Sequence, residues 1–195
     1  SAWIGAAAGL SRCRVPEAAF DPLYSSWYAF WQDVHDDDIV REAKAAAALG
    51  MRSAILDDGW QKEDSKSYYS ATGDWMPAKS RFPDMRAHVD KVHAAGIKNY
   101  MLWLSVPFVG NESKAYARFR GKYLWGDVAG LDPRFPEVRE HLVKTYERCV
   151  RDWGFDGLKL DFIDAISTDD DPAAKEDWRG RDCKTVPEGV DRLMT

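Results

Sequence analysis

Four times along the chain a short apolar run breaks into acidic and aromatic residues, and each time an amphipathic segment with recognisable capping signals follows. The first run predicts a strand over Leu23 to Phe30. Asp36, Asp37 and Asp38 then complement the positive end of a helix dipole, and Ile39, Val40, Ala43, Ala46, Ala47 and Leu49 keep helical spacing up to Gly50, a C-terminal stop. The second run, Ser53 to Leu56, ends in Asp57-Asp58-Gly59-Trp60. A helix from about Met85 to Ala95 closes at Gly96. The third, Lys98 to Leu104, leads through a long loop to Pro136, a good first-turn residue for a helix reaching Trp153. The fourth is Leu158 to Phe162, and Thr185-Val186-Pro187-Glu188 reads as a capping box opening one more helix.

Strand and helix periods in alternation demand a parallel sheet covered by helices. Loops after the strands are long and rich in Asp and Trp, whereas returns such as Gly50-Met51-Arg52 and Gly96-Ile97 are short. That asymmetry belongs to a (β/α)8 TIM barrel, with function at the C-terminal strand ends. An open doubly wound sheet would carry a glycine-rich phosphate turn after its first strand; Ser26-Trp27-Tyr28 stands there instead. A whole barrel needs about 250 residues, and 195 residues hold four βα units. Residues 1–22 are therefore read as a lead-in and 23–195 as the N-terminal half of a barrel domain. The other half is expected from the rest of the polypeptide or from another chain.

Composition narrows the partners. With 45% hydrophobic and 30% charged residues the chain is globular. A net charge of −5 without a basic run excludes a nucleic-acid backbone or an anionic membrane surface as partner. No apolar stretch approaches the roughly 18 residues that cross a bilayer. Cys13, Cys149 and Cys183 show neither disulfide nor zinc spacing, which favours a reducing, cytoplasmic setting over a periplasmic or secreted one. Nine Trp, eight Tyr and eight Phe are many for this length. Several adjoin acids, as in Asp58-Gly59-Trp60 and Gly73-Asp74-Trp75, which suits a cleft that packs sugar C–H faces on rings and hydroxyls on carboxylates.

At the predicted strand ends stand Trp27, then Asp57, Asp58 and Trp60, then Trp103, then Lys159 and Asp161. Paired carboxylates with indoles between them suit glycoside hydrolysis, which needs two carboxyl groups flanking the anomeric carbon. Lys159 lies two residues before Asp161, on the same strand face, where its ammonium favours the ionised acid. A nucleophile must be charged, so Asp161 is the candidate. The competing structural readings are a satisfied ion pair for Lys159 and Asp161 and a simple Asp-Gly turn for residues 57–59. His88 and His93 miss helical zinc spacing and, with His35 and His141, read as surface or helix-face residues.

Taken in order, Ser26-Trp27-Tyr28, Leu56-Asp57-Asp58-Gly59-Trp60, Gly73-Asp74-Trp75 with Phe82-Pro83, Tyr100-Met101-Leu102-Trp103, Leu131-Asp132-Pro133 and Gly157-Leu158-Lys159-Leu160-Asp161 resemble the melibiase-type α-galactosidases of glycoside hydrolase family 36, relatives of family 27. The resemblance covers about residues 23 to 165. It implies a retaining, exo-acting (β/α)8 glycosidase that uses no metal or organic cofactor and acts on an α-galactoside or related oligosaccharide. By the same resemblance Asp161 is the nucleophile, Lys159 bonds sugar hydroxyls beside it, and Asp57 and Asp58 grip the 4- and 6-hydroxyls. Trp27, Trp60 and Trp103 shape the pocket, and the acid/base is an Asp near the end of a sixth strand, beyond Thr195. The chain departs from the family at Leu104-Ser105-Val106-Pro107, where an acidic Glu-Pro pair is usual, and at Phe162-Ile163-Asp164. Two alternatives stand beside this: a carbohydrate-binding barrel without activity, and a metal-dependent barrel hydrolase or lyase using Asp57, Asp58 and Asp161 as oxygen ligands.

Overall fold

The computed structural model describes residues 15–61, 63, 69–124, 129–166 and 179–195. Cys13, most of the lead-in and the Asp169-Asp170-Asp171 run lie outside the described residues. Strands β1 (Leu23–Ser25), β2 (Ser53–Leu56), β3 (Asn99–Ser105) and β6 (Gly157–Asp161) form one sheet in the order β1-β2-β3-β6, every pair parallel. A two-stranded ribbon, β4 (Phe108–Val109) against β5 (Ala129–Gly130), decorates the loop after β3. The helices are α1 (Trp27–Phe30), α2 (Asp36–Ala48), α3 (Met85–Ala94), α4 (Lys114–Arg118), α5 (Pro136–Glu147), with a π-helical extension over Arg148–Asp152, and α6 (Val186–Met194). Neighbouring strands in chain order, each followed by a helix, are four successive units of a (β/α)8 barrel.

Local chemistry explains most boundaries. Helix α2 ends in a Schellman turn: Met51 N–H reaches the Ala46 carbonyl and Gly50 N–H the Ala47 carbonyl, both at 3.0 Å, with Gly50 at φ +88°. Asp84 caps α3 by accepting from Ala87 N–H at 3.0 Å, and Pro136 opens α5. The capping box of α6 forms: Thr185 accepts from Glu188 N–H, and the Glu188 carboxylate returns to the backbone before the helix, most closely to Lys184 N–H at 2.9 Å. The expected first strand is shorter than its apolar run. Ser26 takes helical backbone angles while its N–H still bonds the Ile55 carbonyl at 3.2 Å, so the chain folds over the end of β2 and residues 27–30 become α1.

Sheet register sets two faces. Tyr100, Leu102 and Leu104 point outward and are buried under helices, in a core with Val34, Ile39, Ala43, Val89, Val92, Trp60, Trp75 and Phe155. On the other face, Ser25, Ile55, Met101 and Gly157 stand at one level, Trp103 and Lys159 at the next, and Ser105 and Asp161 at the last. His88, expected at a helix surface, is fully buried instead. Its ring nitrogens bond Asp36 Oδ1 at 2.9 Å and Tyr100 Oη at 2.8 Å, joining α2, α3 and β3. Asp36, which the sequence marks as a first-turn charge, serves this junction and the Lys91 ammonium, 2.8 Å away.

A second buried polar cluster fastens the segment after β6. Asp132 bonds Arg134 through Oδ1 and Oδ2, each at 2.9 Å, and pairs with Arg181 at 3.1 Å, all three side chains at most 2% exposed. Removing one partner from such a cluster strands buried charge. Asp132→Ala is expected to destabilise the protein by about 3 kcal/mol, read as a lower urea midpoint; an unchanged midpoint would show that the cluster carries no stability.

Candidate active site

The C-terminal strand ends enclose a cavity of about 160 Å³ lined by Trp27, Asp57, Asp58, Tyr69, Trp103, Lys159, Asp161 and Phe162. A larger hollow, about 430 Å³, opens at the opposite ends of the strands among Leu23, Ser53, Asn99 and Met101. Its acids are Asp21 and Asp156, and Asp156 is occupied by Tyr100 N–H at 2.7 Å and His93 at 2.9 Å. The converging carboxylates belong to the first cavity.

Each acid there is held differently. Asp161 Oδ2 accepts from the Trp103 indole N–H at 2.9 Å and lies 3.3 Å from Lys159 Nζ; its Oδ1 accepts from Phe162 N–H at 2.9 Å. That last bond forms because Phe162 takes left-handed angles, φ 57°, costly for an aromatic residue and placed directly after the strand. Burial alone would raise the Asp161 pKa; the indole, the Phe162 amide and Lys159 outweigh it and hold the carboxyl below its ordinary value. Asp57, 2% exposed, accepts from Asp58 N–H at 2.9 Å and from Lys159 Nζ at 2.8 Å, while its own N–H is taken by Ser26 Oγ at 2.9 Å. Lys159 therefore bridges Asp57 and Asp161. Its burial works against the charge, but these two acids prevail and raise its pKa.

Asp58, 1% exposed, is held by amides: Gln32 Nε2 donates to Oδ2, and Gln61 Nε2 to Oδ1 at 2.7 Å. Tyr69 closes one side, its ring 6.4 Å from that of Trp103 and stacked with it. Burial first, then Asp58, Asp161 and Asp57, push its hydroxyl up to about 12, so it stays neutral and able to donate at physiological pH.

Six of the seven residues singled out from sequence thus meet in one cavity. Trp60 does not line it. Its side chain is fully buried, its indole N–H is spent on the Trp103 carbonyl at 3.0 Å, and its ring packs against Trp75 and Trp153. Trp60, expected to shape the pocket, is set by the structure behind Trp103 instead of on the cavity wall. Asp74 and Trp75 also leave the cleft reading: the Asp74 carboxylate accepts the Lys114 and Ala115 amides at the start of α4, and Trp75 is core. The residues missed are Tyr69, Gln32 and Gln61. Nothing in their sequence spacing marks them, because all three stand on loops.

Lys159 decides between the chemistries open to three acids. Its ammonium occupies the place between Asp57 and Asp161 where a metal ion would have to sit. If Asp161 must be ionised to act, removing Lys159 should move the acidic limb of activity to higher pH. Lys159→Met in the full-length protein is expected to lower kcat/KM about tenfold or more and to shift that limb upward; an unmoved limb would separate Lys159 from the ionisation of Asp161.

Fold and cavity together define a (β/α)8 protein whose carboxylates gather at the C-terminal strand ends. The family model for Melibiase matches residues 12–126, more than half of the chain, and the chain belongs to that family. The match takes in Trp27, Asp57, Asp58, Trp60 and Trp103, while Lys159 and Asp161 lie past it. Among curated relatives, the probable alpha-galactosidase G of Aspergillus terreus is 32% identical over 130 residues, 62% of this chain and 17% of that protein. Among solved structures, the alpha-galactosidase TtGalA of Thermus thermophilus, in complex with p-nitrophenyl α-D-galactopyranoside, superposes with a TM-score of 0.67 at 24% identity, covering 82% of this chain and 34% of that one. The family 36 alpha-galactosidase AgaA A355E D548N of Geobacillus stearothermophilus, in complex with raffinose, does so with a TM-score of 0.65 at 23% identity, covering 72% and 21%. The chain spans about a fifth of the length of the curated relatives it matches. Among the described residues no helix is long and apolar enough to cross a membrane.

Proposed function

We propose that the protein is a retaining, exo-acting α-galactosidase, with residues 23–195 as the first half of its catalytic barrel and residues 1–22 as the lead-in. The observation that carries the reading is the setting of Asp161: an acid at a strand end, held ionised by an indole, a backbone amide and an ammonium, beside two further buried carboxylates. Asp161 attacks the anomeric carbon as the glycosidic bond breaks, and a carboxylic acid from a later strand protonates the leaving oxygen. The resulting glycosyl ester is hydrolysed by water that the same carboxylate deprotonates. Asp57, Asp58 and Lys159 take sugar hydroxyls, Trp27 and Trp103 shape the walls, and Trp60 supports Trp103. No metal or organic cofactor is needed. The substrates are α-galactosides and their oligosaccharides, as the ligands in the related structures suggest. Cys149 and Cys183, free and buried, fit a cytoplasmic setting.

The reading is tested by following an aryl α-galactoside with the full-length protein by proton NMR. α-Galactose is expected as the first product, mutarotating later. First-formed β-galactose would exclude double displacement at Asp161, and binding without turnover would turn the proposal toward a carbohydrate-binding barrel.

A further inference from the structure

Two amides reach one acid of the cavity. Asp57 and Asp161 share an ammonium, whereas the groups seen holding Asp58 include two neutral amides, one on each oxygen. Resting on the galactosidase reading, we infer that Gln32 and Gln61 are specificity-determining positioning residues: their amides hold Asp58 as the acceptor for the 4- or 6-hydroxyl of the sugar.

The placement of these amides is built from several elements. Gln61 stands just past the β2 turn, and its Oε1 accepts from Gly59 N–H at 3.2 Å, which turns its Nε2 toward Asp58. Gln32 comes from the loop after β1, 26 residues away in sequence. It is delivered by Trp31, whose backbone takes φ 53° and ψ −121°, a strained pair for a bulky residue. The Arg81 guanidinium, 6% exposed, holds the Gln32 carbonyl. Gly59, at φ +114°, lets the Gln32 main chain lie against it: a Cβ there would stand 2.4 Å from the Gln32 oxygen. Both Gln residues are 7% exposed. A strained backbone, a close glycine contact and a buried arginine thus converge on delivering an amide to a carboxylate.

Neutral donors have a chemical consequence. A carboxylate accepts through about four lone-pair positions, and an amide on each oxygen fixes the plane in which Asp58 presents them. The two amides bring no net charge to compete for it in place of the substrate. A site built to bond a hydroxyl rejects an analogue lacking it by as much as about 10⁴-fold. Loosening the acceptor should erode that rejection.

The test compares kcat/KM of the full-length protein for p-nitrophenyl α-D-galactopyranoside and for its 4-deoxy and 6-deoxy analogues. Gln32→Ala and Gln61→Ala are each expected to lower the galactoside value about ten- to a hundredfold, and to lower by much less the value for the analogue missing the hydroxyl that Asp58 takes. Discrimination against that analogue then falls about tenfold or more. Equal losses on all three substrates, or none, overturn the inference. Gln61→Glu keeps the volume and sets a second carboxyl against Asp58, so the two should share one proton. That proton replaces an amide donor while it is bound. Activity should then fall as it leaves, and the alkaline limb should move to lower pH. Asp57, Tyr69, Lys159 and Asp161 face the same cavity, and Arg81 lies behind Gln32. All are common to parent and variant, so the difference between their profiles reports residue 61, and an unmoved limb counts against the inference. If the parent cleaves no α-galactoside, the galactosidase reading fails and this one with it; an active parent with unchanged ratios in the variants refutes only the role of the amides.

Discussion

Asp161→Asn in the full-length protein is expected to lower kcat on an aryl α-galactoside by about 10³-fold or more while leaving the fold intact. Asn keeps the shape of the side chain, and its amide oxygen can still accept from the Trp103 indole or the Phe162 amide that now hold the acid. What it loses is the charge that Lys159 approaches and the electron pair that, in the proposed mechanism, forms the bond to the anomeric carbon. Asp161→Gly with added azide makes the argument sharper. The small anion should enter the vacated space and attack from the nucleophile's side, releasing the aglycone and giving β-galactosyl azide, inverted relative to the substrate. Turnover within tenfold of the parent in the Asn variant, or no rescue product from the Gly variant, would remove Asp161 from the reaction.

Gly59→Ala carries the second large effect, with no change of charge. The added Cβ would lie 2.4 Å from the Gln32 carbonyl oxygen and 2.8 Å from that residue's C and Cα, distances that require main chain to move. The φ of +114° at this position strains any L side chain further. A destabilisation of about 2–4 kcal/mol is expected in urea unfolding. kcat/KM should fall about a hundredfold, the scale of loss when catalytic groups are misplaced by roughly an ångström. Gly50→Ala is the fitting comparison. Gly50 also has positive φ, +88°, but faces open space at the end of α2, so the change should cost about 1 kcal/mol and leave kcat/KM as it was. Similar behaviour of the two variants would show that the close approach of Gln32 to Gly59 has no functional weight.

The barrel was legible because its periods are local. Apolar alternation, the Pro136 helix start and the Gly50 and Gly96 stops each act within a few residues, and the structure places them where the pattern predicts. The lining of the cavity was legible for a related reason: Asp57, Trp103, Lys159 and Asp161 sit at strand ends, and parallel register brings strand ends to one place. Legibility failed where a side chain's duty depends on distant partners. Trp60 stands two residues from Asp58 in sequence, as a pocket aromatic would, yet its indole N–H is given to the Trp103 carbonyl and the ring goes to the core. His88 has ordinary helix surroundings in sequence, but Asp36 and Tyr100 bury it.

The sequence by itself determined the alternation of strand and helix, the polarity of the loops and the residue types available at the C-terminal mouth, since all of these follow from side-chain periodicity and from capping within a turn or two. Only the tertiary structure decided which of those residues meet. It folded residues 26–30 over the end of β2, stretched Lys159 across to Asp57 and put an amide from beyond Trp31 against Asp58. Those contacts join residues 26 to 102 positions apart, and the packing of strands, loops and close-approach glycines, rather than any local preference, is what brings them within hydrogen-bonding reach.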